Sequence, residues 1–307
     1  MTQYIIRRLL QMIPITLGIL TLIFSLIHLI PGDPAAQIAG EGARPQDIEN
    51  VRKALGLDEP LWKQYVTYLS NLARGDLGRS FRTNELVSTE IRERYPATMQ
   101  LAFGAMLVAL LVAFPLGIIS AIYRNSWIDN VARFFALIGV SMPSFWFGPL
   151  LIIAFAINRE WFPVSGREEG WRSLVLPSVT MGLALSAILT RMIRVSLAEE
   201  LNQLYVTTAI AKGVSRTKAI FRHALKNAMI PVITVLALQF GSLLTGAIIT
   251  EQIFSWPGLG RLLIQSIATR DYPQVQASIL VIALTYIMVN FLADLLYGVA
   301  DPRIKLE

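Results

Sequence analysis

The residue types that most often carry chemistry are scarce in this chain of 307 residues. It has no cysteine, and its two histidines, His28 and His223, are far apart in sequence, which argues against thiolate chemistry and a paired-histidine zinc site. A phosphate-binding P-loop requires a glycine followed by lysine, because the lysine reaches the β- and γ-phosphates. None of the 20 glycines in this chain is followed by lysine. No Gly-x-Ser-x-Gly nucleophile elbow occurs. We therefore expect no catalytic residues, no metal site and no cofactor bound by this chain.

Ionisable residues inside apolar runs are the next candidates, since they often mark an ion or proton path. Asp294 is the strongest of these, whereas His28, Arg133 and Glu251 lie near the ends of apolar runs. One deep carboxylate is weak support for a proton relay, so we expect Asp294 to be a hydrogen-bonding group inside a helix bundle. We find no evident energy source within this polypeptide.

The elements that must position these residues are membrane helices. Hydrophobic residues make up 54% of the chain and charged residues 16%, against about a quarter charged in soluble domains. Apolar runs long enough to cross a bilayer need roughly 20 residues. Six such runs are present: Leu9–Ile30, Thr98–Ile122, Val131–Ile157, Leu176–Val195, Pro231–Thr250 and Ala277–Ala300. The predicted fold class is an all-α polytopic membrane protein with six transmembrane helices.

The distribution of positive charge predicts the orientation. Thirteen Lys and Arg residues lie at the two termini, near 124–133 and in the loop 191–229, whereas the short loops 158–175 and 251–275 hold five. Cytoplasmic loops carry the excess of Lys and Arg, so both termini are predicted to be cytoplasmic. The net charge of +6 is then explained by topology, and we expect no nucleic-acid partner.

The loop 31–97 is the largest predicted extramembrane segment, with nine basic and ten acidic residues. Two amphipathic helices are predicted, one near Gln46–Leu55 and one beginning at Pro60, which places Trp62, Tyr65, Leu69 and Leu72 at helical spacing. Their apolar faces could pack on the membrane or on the protein's own spans. Alternatively, part of this loop contacts an extracytoplasmic partner or guides a substrate.

Small residues recur on one stripe of the fourth and fifth predicted spans, where they would allow close approach of helix backbones. They could pack within one subunit, or against a second subunit around a translocation path. The candidates for a path or subunit interface are Ser186, Gln239, Ser242 and Gly246.

The segment Tyr205–Val232 is basic and helix-forming, and it lies between two apolar runs. Gly213 can adopt backbone conformations that turn the chain between two helical pieces. Ala209 and Ala211 are small enough for close docking, and Lys212 and Arg216 belong to a basic rim. We therefore predict a short helix that presses against a partner outside the membrane.

This segment resembles the cytoplasmic loop of bacterial ABC importer permeases, which has the pattern E-A-A-x₃-G-x₉-I-x-L-P. Thr207, Thr208 and Ala209 occupy the E-A-A positions, and His223 and Lys226 replace the isoleucine and the proline. The variant Y-V-x-T-A-x-A-K-G, followed by H-A-L-x-N-A-x-I-P-V, is similar to the B-type permease of dipeptide and oligopeptide importers. The resemblance extends to four further motifs: Y-I-I-R-R-L-L from Tyr4, P-G-D-P from Pro31, G-D-L-G-R-S from Gly75 and W-P-G-L-G from Trp256.

The resemblance implies a type I ABC importer permease fold in the inner membrane. Residues 95–300 would form the type I transmembrane domain, with a coupling loop at about 196–229. Residues 1–94 would be an N-terminal span and a large extracytoplasmic loop, and 301–307 a cytoplasmic tail. The implied ATPase-coupling residues are Tyr205, Thr207, Thr208, Ala209, Ala211, Lys212, Gly213 and Arg216.

The implied partners are a homologous second permease, two ATPase subunits that bind ATP and Mg²⁺, and an extracytoplasmic substrate-binding protein. The expected cargo is a dipeptide or oligopeptide. Glutathione or a nickel chelate is the alternative within the same architecture. A channel or ion-coupled carrier without an ATPase is the alternative from another class.

Overall fold

The computed structural model describes residues 2–29, 34–39, 42–54 and 56–300. Most of the P-G-D-P motif and the predicted tail 301–307 lie outside these ranges. The backbone of His28 is described, but its side chain is not. Within them the chain is helical apart from loops, turns and an isolated antiparallel bridge between Arg79 and Leu86.

The helices are, in chain order, α1 Thr2–Leu29, α2 Pro34–Ala39, α3 Pro45–Ala54, α4 Leu61–Ala73, α5 Val87–Ile122, α6 Trp127–Ser141, α7 Ser144–Leu151, α8 Trp171–Leu201, α9 Leu204–Ala211, α10 Arg216–Lys218, α11 Leu225–Ile253, α12 Leu259–Ala268 and α13 Tyr272–Ala300. Two π-helical segments, Ile152–Ile157 and Ala219–Ala224, continue α7 and precede α11.

Five helices in the described ranges are long and apolar enough to cross a membrane: Ile5–Ser25, Val87–Ile122, Trp171–Leu201, Arg216–Ile253 and Tyr272–Leu295. The bent pair Trp127–Gly139 and Ser144–Ile157 brings the total to six, which agrees with the six predicted apolar runs. The helices extend beyond several of the predicted runs, because their polar ends pack against other parts of the chain.

The third predicted span, Val131–Ile157, is not one continuous helix. Its two halves are bent by 100°, and the break lies at Met142, whose backbone is extended (φ −87°, ψ 115°). The residue before a proline is disfavoured in the helical region, and Pro143 follows. The sequence showed this proline, but not that the helix would turn there.

The second span begins earlier than predicted, at Val87 and not at Thr98. Val87 and Ile91 are buried in a cluster with Leu259 and Leu262 of α12. The N-terminal part of α5 is polar elsewhere, so this apolar face is what packs against α12. The predicted domain boundary between residues 94 and 95 therefore lies within this helix.

The core is built around the packing of α5 against α8, with α11 beside them. Ser178, Gly182, Ser186 and Thr190 of α8 are all buried. A Cβ at Gly182 would lie 2.6 Å from the carbonyl oxygen of Ala105 in α5. This small-residue stripe therefore serves packing within the chain, which was one of the two alternatives that the sequence left open.

Helix α4 packs on the spans of its own chain. Tyr65 Oη lies 2.7 Å from Thr21 Oγ1 of α1, and Leu69 and Leu72 pack around the cluster that includes Ile23. Helices α3 and α4 agree closely with the two predicted amphipathic helices. Trp62 departs from the prediction, because its side chain is 68% exposed and does not share the packed face.

A buried carboxylate holds the loop between α11 and α12. Glu251 is fully buried; its Oε1 accepts a hydrogen bond from Thr98 Oγ1 at 2.6 Å, and its Oε2 accepts one from the Arg261 backbone N–H at 2.9 Å. The indole Nε1 of Trp256 donates to the Ala97 carbonyl at 2.8 Å. The W-P-G-L-G motif therefore joins α12 to α5 at Ala97 and Thr98.

Gly260→Ala is expected to destabilise the protein by about 1–3 kcal/mol, the range for overpacked sites. Its Cβ would lie 2.6 Å from the backbone Cα of Ile248, which cannot move aside cheaply. The measurement is the midpoint of thermal unfolding in detergent. Gly246→Ala is the matched control, since its Cβ would meet nothing nearer than Met181 Cε at 4.0 Å. Equal midpoints for the two variants would contradict this packing.

Candidate functional site

Helix α9 is a short helix held against the ends of the spans by one apolar side chain. Among its residues, all of which are described, only Val206 is buried. Val206 packs in a cluster with Leu197 of α8, Ala219 of the π-helical segment and Ala228 of α11. The small size of the alanines lets α9 lie close to these helices, so a displacement of α9 would act directly on α8 and α11.

The remaining surface of α9 is exposed. Tyr205, Thr207, Thr208 and Ala211 are exposed, and Ala209 is half-buried. All five are predicted ATPase-coupling residues, and the structure brings them together on this helix, with Lys212, Gly213 and Arg216 exposed directly after it.

Two apolar residues of this surface were missed by the sequence prediction. Leu204 is 83% exposed and Ile210 is 44% exposed. Exposed apolar residues in a patch with polar neighbours often mark a protein-binding surface. Their signal in the sequence was their position inside an otherwise basic loop, outside every predicted span.

Gly213 forms the turn that ends α9. Its φ is +90°, a region that residues with a Cβ rarely adopt. Its N–H donates to the Ile210 carbonyl at 2.9 Å, and the Val214 N–H donates to the Ala209 carbonyl at 3.1 Å, so the last carbonyls of the helix are satisfied as in a glycine C-cap. The prediction of a turn at Gly213 is confirmed by this geometry.

Tyr205 ties α9 to both neighbouring helices. Its hydroxyl donates to the Glu200 carboxylate at 2.5 Å and accepts from Asn227 Nδ2 at 3.0 Å. Burial and the adjacent Glu200 raise the pKa of the Tyr205 phenol, so the hydroxyl keeps its proton at neutral pH. The neutral Tyr205 hydroxyl therefore donates to the Glu200 carboxylate at the end of α8 and accepts from Asn227 at the start of α11, so it connects these two helices.

A buried ion pair lies at the same end of the spans. Arg194 of α8 donates from Nε and Nη2 to the two carboxylate oxygens of Asp129, each at 2.7 Å. Asp129 is fully buried and also accepts from Ser120 Oγ at 2.5 Å and from the Asn125 N–H at 2.9 Å. Helices α5, α6 and α8 are thus joined next to the cluster that holds α9. In the sequence, Arg194 stands out only as one of the positive charges of the loop 191–229.

The four candidates for a translocation path or subunit interface do not lie on one surface. Ser242 and Gly246 are exposed one turn apart on α11, and Gln239 is half-buried. Ser186 is buried in α8, where its Oγ donates to the Leu183 carbonyl at 2.7 Å. Ser242 and Gly246, and in part Gln239, are therefore available to a neighbour of this chain, whereas Ser186 is not.

Asp294 is paired, and it is not enclosed in the bundle as we expected. Its Oδ2 lies 3.1 Å from Nη1 of Arg8 in α1, and its side chain is 33% exposed. The ion pair between the first and last spans explains why a carboxylate lies inside an apolar run, and no proton relay is needed to account for it.

Comparison with known families decides the class of the protein. Residues 113–306 match the family described as "Binding-protein-dependent transport system inner membrane component", and residues 1–102 match the N-terminal family that accompanies it. The chain belongs to this transport-permease family. It is a multi-pass membrane protein and a permease component of an ABC importer, as the motifs indicated.

Curated relatives of this permease cover 99% of its length. It is 44% identical over 305 residues to the glutathione transport system permease protein GsiC of Escherichia coli K12, covering 99% of each chain. It is also 44% identical over 332 residues to the dipeptide transport system permease protein DppB of Alkalihalophilus pseudofirmus, covering 99% of this chain and all of the relative.

Solved structures share the fold of the permease. A chain of the MetNI methionine ABC transporter in an inward-facing conformation matches with a TM-score of 0.58 and 14% identity, covering 69% of this chain and 96% of that one. A chain of an amino acid ABC transporter matches with a TM-score of 0.55 and 16% identity, covering 68% and 94%. These matches agree with the predicted type I importer permease fold.

Proposed function

We propose that this permease is the membrane subunit of an ATP-driven importer of dipeptides or oligopeptides. The observation that carries the proposal is α9, a short exposed helix that is anchored to α8 and α11 by Val206 and Tyr205. A force applied to this helix from outside the membrane passes to two spans. The DppB relative supports the peptide cargo.

The proposed assembly pairs this chain with a homologous second permease, two ATPase subunits and an extracytoplasmic substrate-binding protein. The ATPases bind ATP and Mg²⁺, and Tyr205, Thr207, Thr208, Ala209, Ala211, Lys212, Gly213 and Arg216 form the ATPase-coupling surface. Both termini face the cytoplasm, in agreement with the excess of Lys and Arg at that end. ATP and the binding protein must each favour one conformation, since a ligand with equal affinity for both shifts no equilibrium.

Glutathione is the second candidate cargo, because the GsiC relatives match equally well. Glutathione is itself a small peptide, so one pathway suits both cargoes. We propose that selectivity resides in the binding protein. Exchanging binding proteins on one permease should change the preferred cargo, and an unchanged preference would contradict this assignment.

The decisive test of the function uses proteoliposomes. The assembled complex should accumulate a radiolabelled dipeptide or glutathione only with ATP and binding protein, whereas this permease alone should accumulate neither. Vanadate, which arrests ABC ATPases, is the control for the source of energy. Accumulation by the isolated permease without nucleotide hydrolysis would overturn the proposal and favour an ion-coupled carrier.

A further inference from the structure

A cavity of about 590 Å³ lies between α1, α11, α12 and α13, within the membrane-spanning part of the permease. Most of its lining is apolar, including Ile15 and Ile19 of α1 and Ile282 and Ile287 of α13. The ion pair between Arg8 and Asp294 lines one end of it. The cavity therefore has a charged end and an apolar body.

The charged end is accessible to an occupant. With the two groups paired, 40% of the Arg8 side chain and 33% of the Asp294 side chain stay exposed. A cation and an anion side by side complement a zwitterion, since a bound phosphate would lie against the guanidinium and a bound ammonium against the carboxylate. A free fatty acid or a sterol would satisfy at most one of the two groups.

The length of the cavity matches one membrane leaflet. From Arg8 to Ile19 the lining residues span eleven positions of α1, and from Ile279 to Asp294 they span fifteen positions of α13. At a rise of 1.5 Å per residue these distances are about 16 and 22 Å. Half of a bilayer is about 15 Å of hydrocarbon, or about 20–22 Å with its headgroup region. The polar end lies near the start of span Ile5–Ser25, where the headgroups of that leaflet are located.

We propose that one zwitterionic phospholipid of the phosphatidylethanolamine type occupies this cavity. Its phosphate binds Arg8, its ammonium binds Asp294, and an acyl chain lies along Ile15, Ile19 and Ile282. A peptide fits less well, because the polar side chains of the mostly apolar lining are too few to pair with its backbone N–H and C=O groups. The bound lipid completes the packing of α1 beside α13. This inference concerns the membrane fold and is independent of the cargo.

Native mass spectrometry of the purified transporter, delipidated in mild detergent, tests the proposal. The wild type should retain one phosphatidylethanolamine at this site. Ala283→Trp places a large ring in the cavity and should lower retention by at least about tenfold, equivalent to 1.4 kcal/mol. The matched control is Ala136→Trp on α6, a residue that is also half-buried but does not line the cavity, and its retention should equal that of the wild type.

Headgroup variants separate this lipid from others. Arg8→Gln should lower the retention of every phospholipid, whereas Asp294→Asn should lower that of phosphatidylethanolamine more than that of phosphatidylglycerol, which has no ammonium. A preference for phosphatidylglycerol in the wild type would overturn the zwitterionic assignment. Equal retention by the Ala283→Trp and Ala136→Trp variants would overturn the site itself.

A second measurement needs no change to the chain. Phosphatidylethanolamine carrying a photoreactive group in mid-chain should label the α13 peptide that contains Ile282 and Ile287 in the assembled complex. Labelling confined to exposed faces such as that of Phe145 would contradict the proposal. The proposal would also be contradicted if the second permease subunit blocked labelling of the cavity, since a protein side chain would then occupy it.

Discussion

Gly213→Pro is expected to abolish ATP-driven uptake while the permease still inserts into the membrane. Proline fixes φ near −65° and has no N–H, whereas Gly213 has φ +90° and donates to the Ile210 carbonyl. The preceding Lys212 is near-helical (φ −81°, ψ 8°), a region disfavoured before proline. The turn must therefore reorganise, and α9 would lose the orientation in which we propose that it meets the ATPase.

The measurement is the initial rate of peptide uptake into proteoliposomes that contain equal amounts of folded complex. We expect a fall of at least about tenfold, since a strain of about 1–3 kcal/mol would act at the proposed contact with the ATPase. Gly42→Pro is the matched control, because Gly42 has φ +91° and open space around it but lies in the loop between α2 and α3. Uptake at the wild-type rate in the Gly213→Pro variant would contradict the coupling role of α9.

Asp129→Asn is expected to produce the largest loss of stability. Removing one partner of a buried ion pair typically costs about 3–5 kcal/mol, because the remaining charge is buried without compensation. Arg194 is only 16% exposed and would lose both charge-assisted hydrogen bonds to the carboxylate. The lower unfolding midpoint should be measurable from intrinsic tryptophan fluorescence in detergent, since the chain has six tryptophans.

An exposed ion pair supplies the control for this prediction. The Nζ atom of Lys63 lies 2.6 Å from Oε1 of Glu59, and the two side chains are 52% and 44% exposed. Such surface pairs contribute about 0–1 kcal/mol, so Lys63→Ala should change the midpoint little. The double variant Asp129→Leu, Arg194→Met should recover part of the loss, because it leaves no isolated buried charge; Arg133, which also lies near Asp129, is 53% exposed. If Asp129→Asn had as small an effect as Lys63→Ala, the ion pair would not be a structural link between α5, α6 and α8.

The membrane spans and the turn at Gly213 could be predicted because their signals are local. A run of about 20 apolar residues crosses a bilayer whatever its neighbours are, and Gly213 favours a turn through its own backbone freedom. At Val131–Ile157 the pattern showed an apolar run but not the direction of the chain after Pro143. The prediction for Trp62 was wrong, since helical spacing alone does not decide which apolar side chain of α4 meets another helix.

Sequence by itself determined that this protein is a polytopic helical membrane protein, and its motifs identified the family and predicted which segment would meet a partner. Only the tertiary structure decided which charges are paired. Asp129 and Arg194 are 65 positions apart, and Thr98 and Glu251 are 153 apart. The free energy of a buried charge depends on the groups around it, and folding brings these groups together from distant positions. The ion pair beside α9, the carboxylate that holds α12 and the charged end of the α1–α13 cavity therefore became visible only in three dimensions.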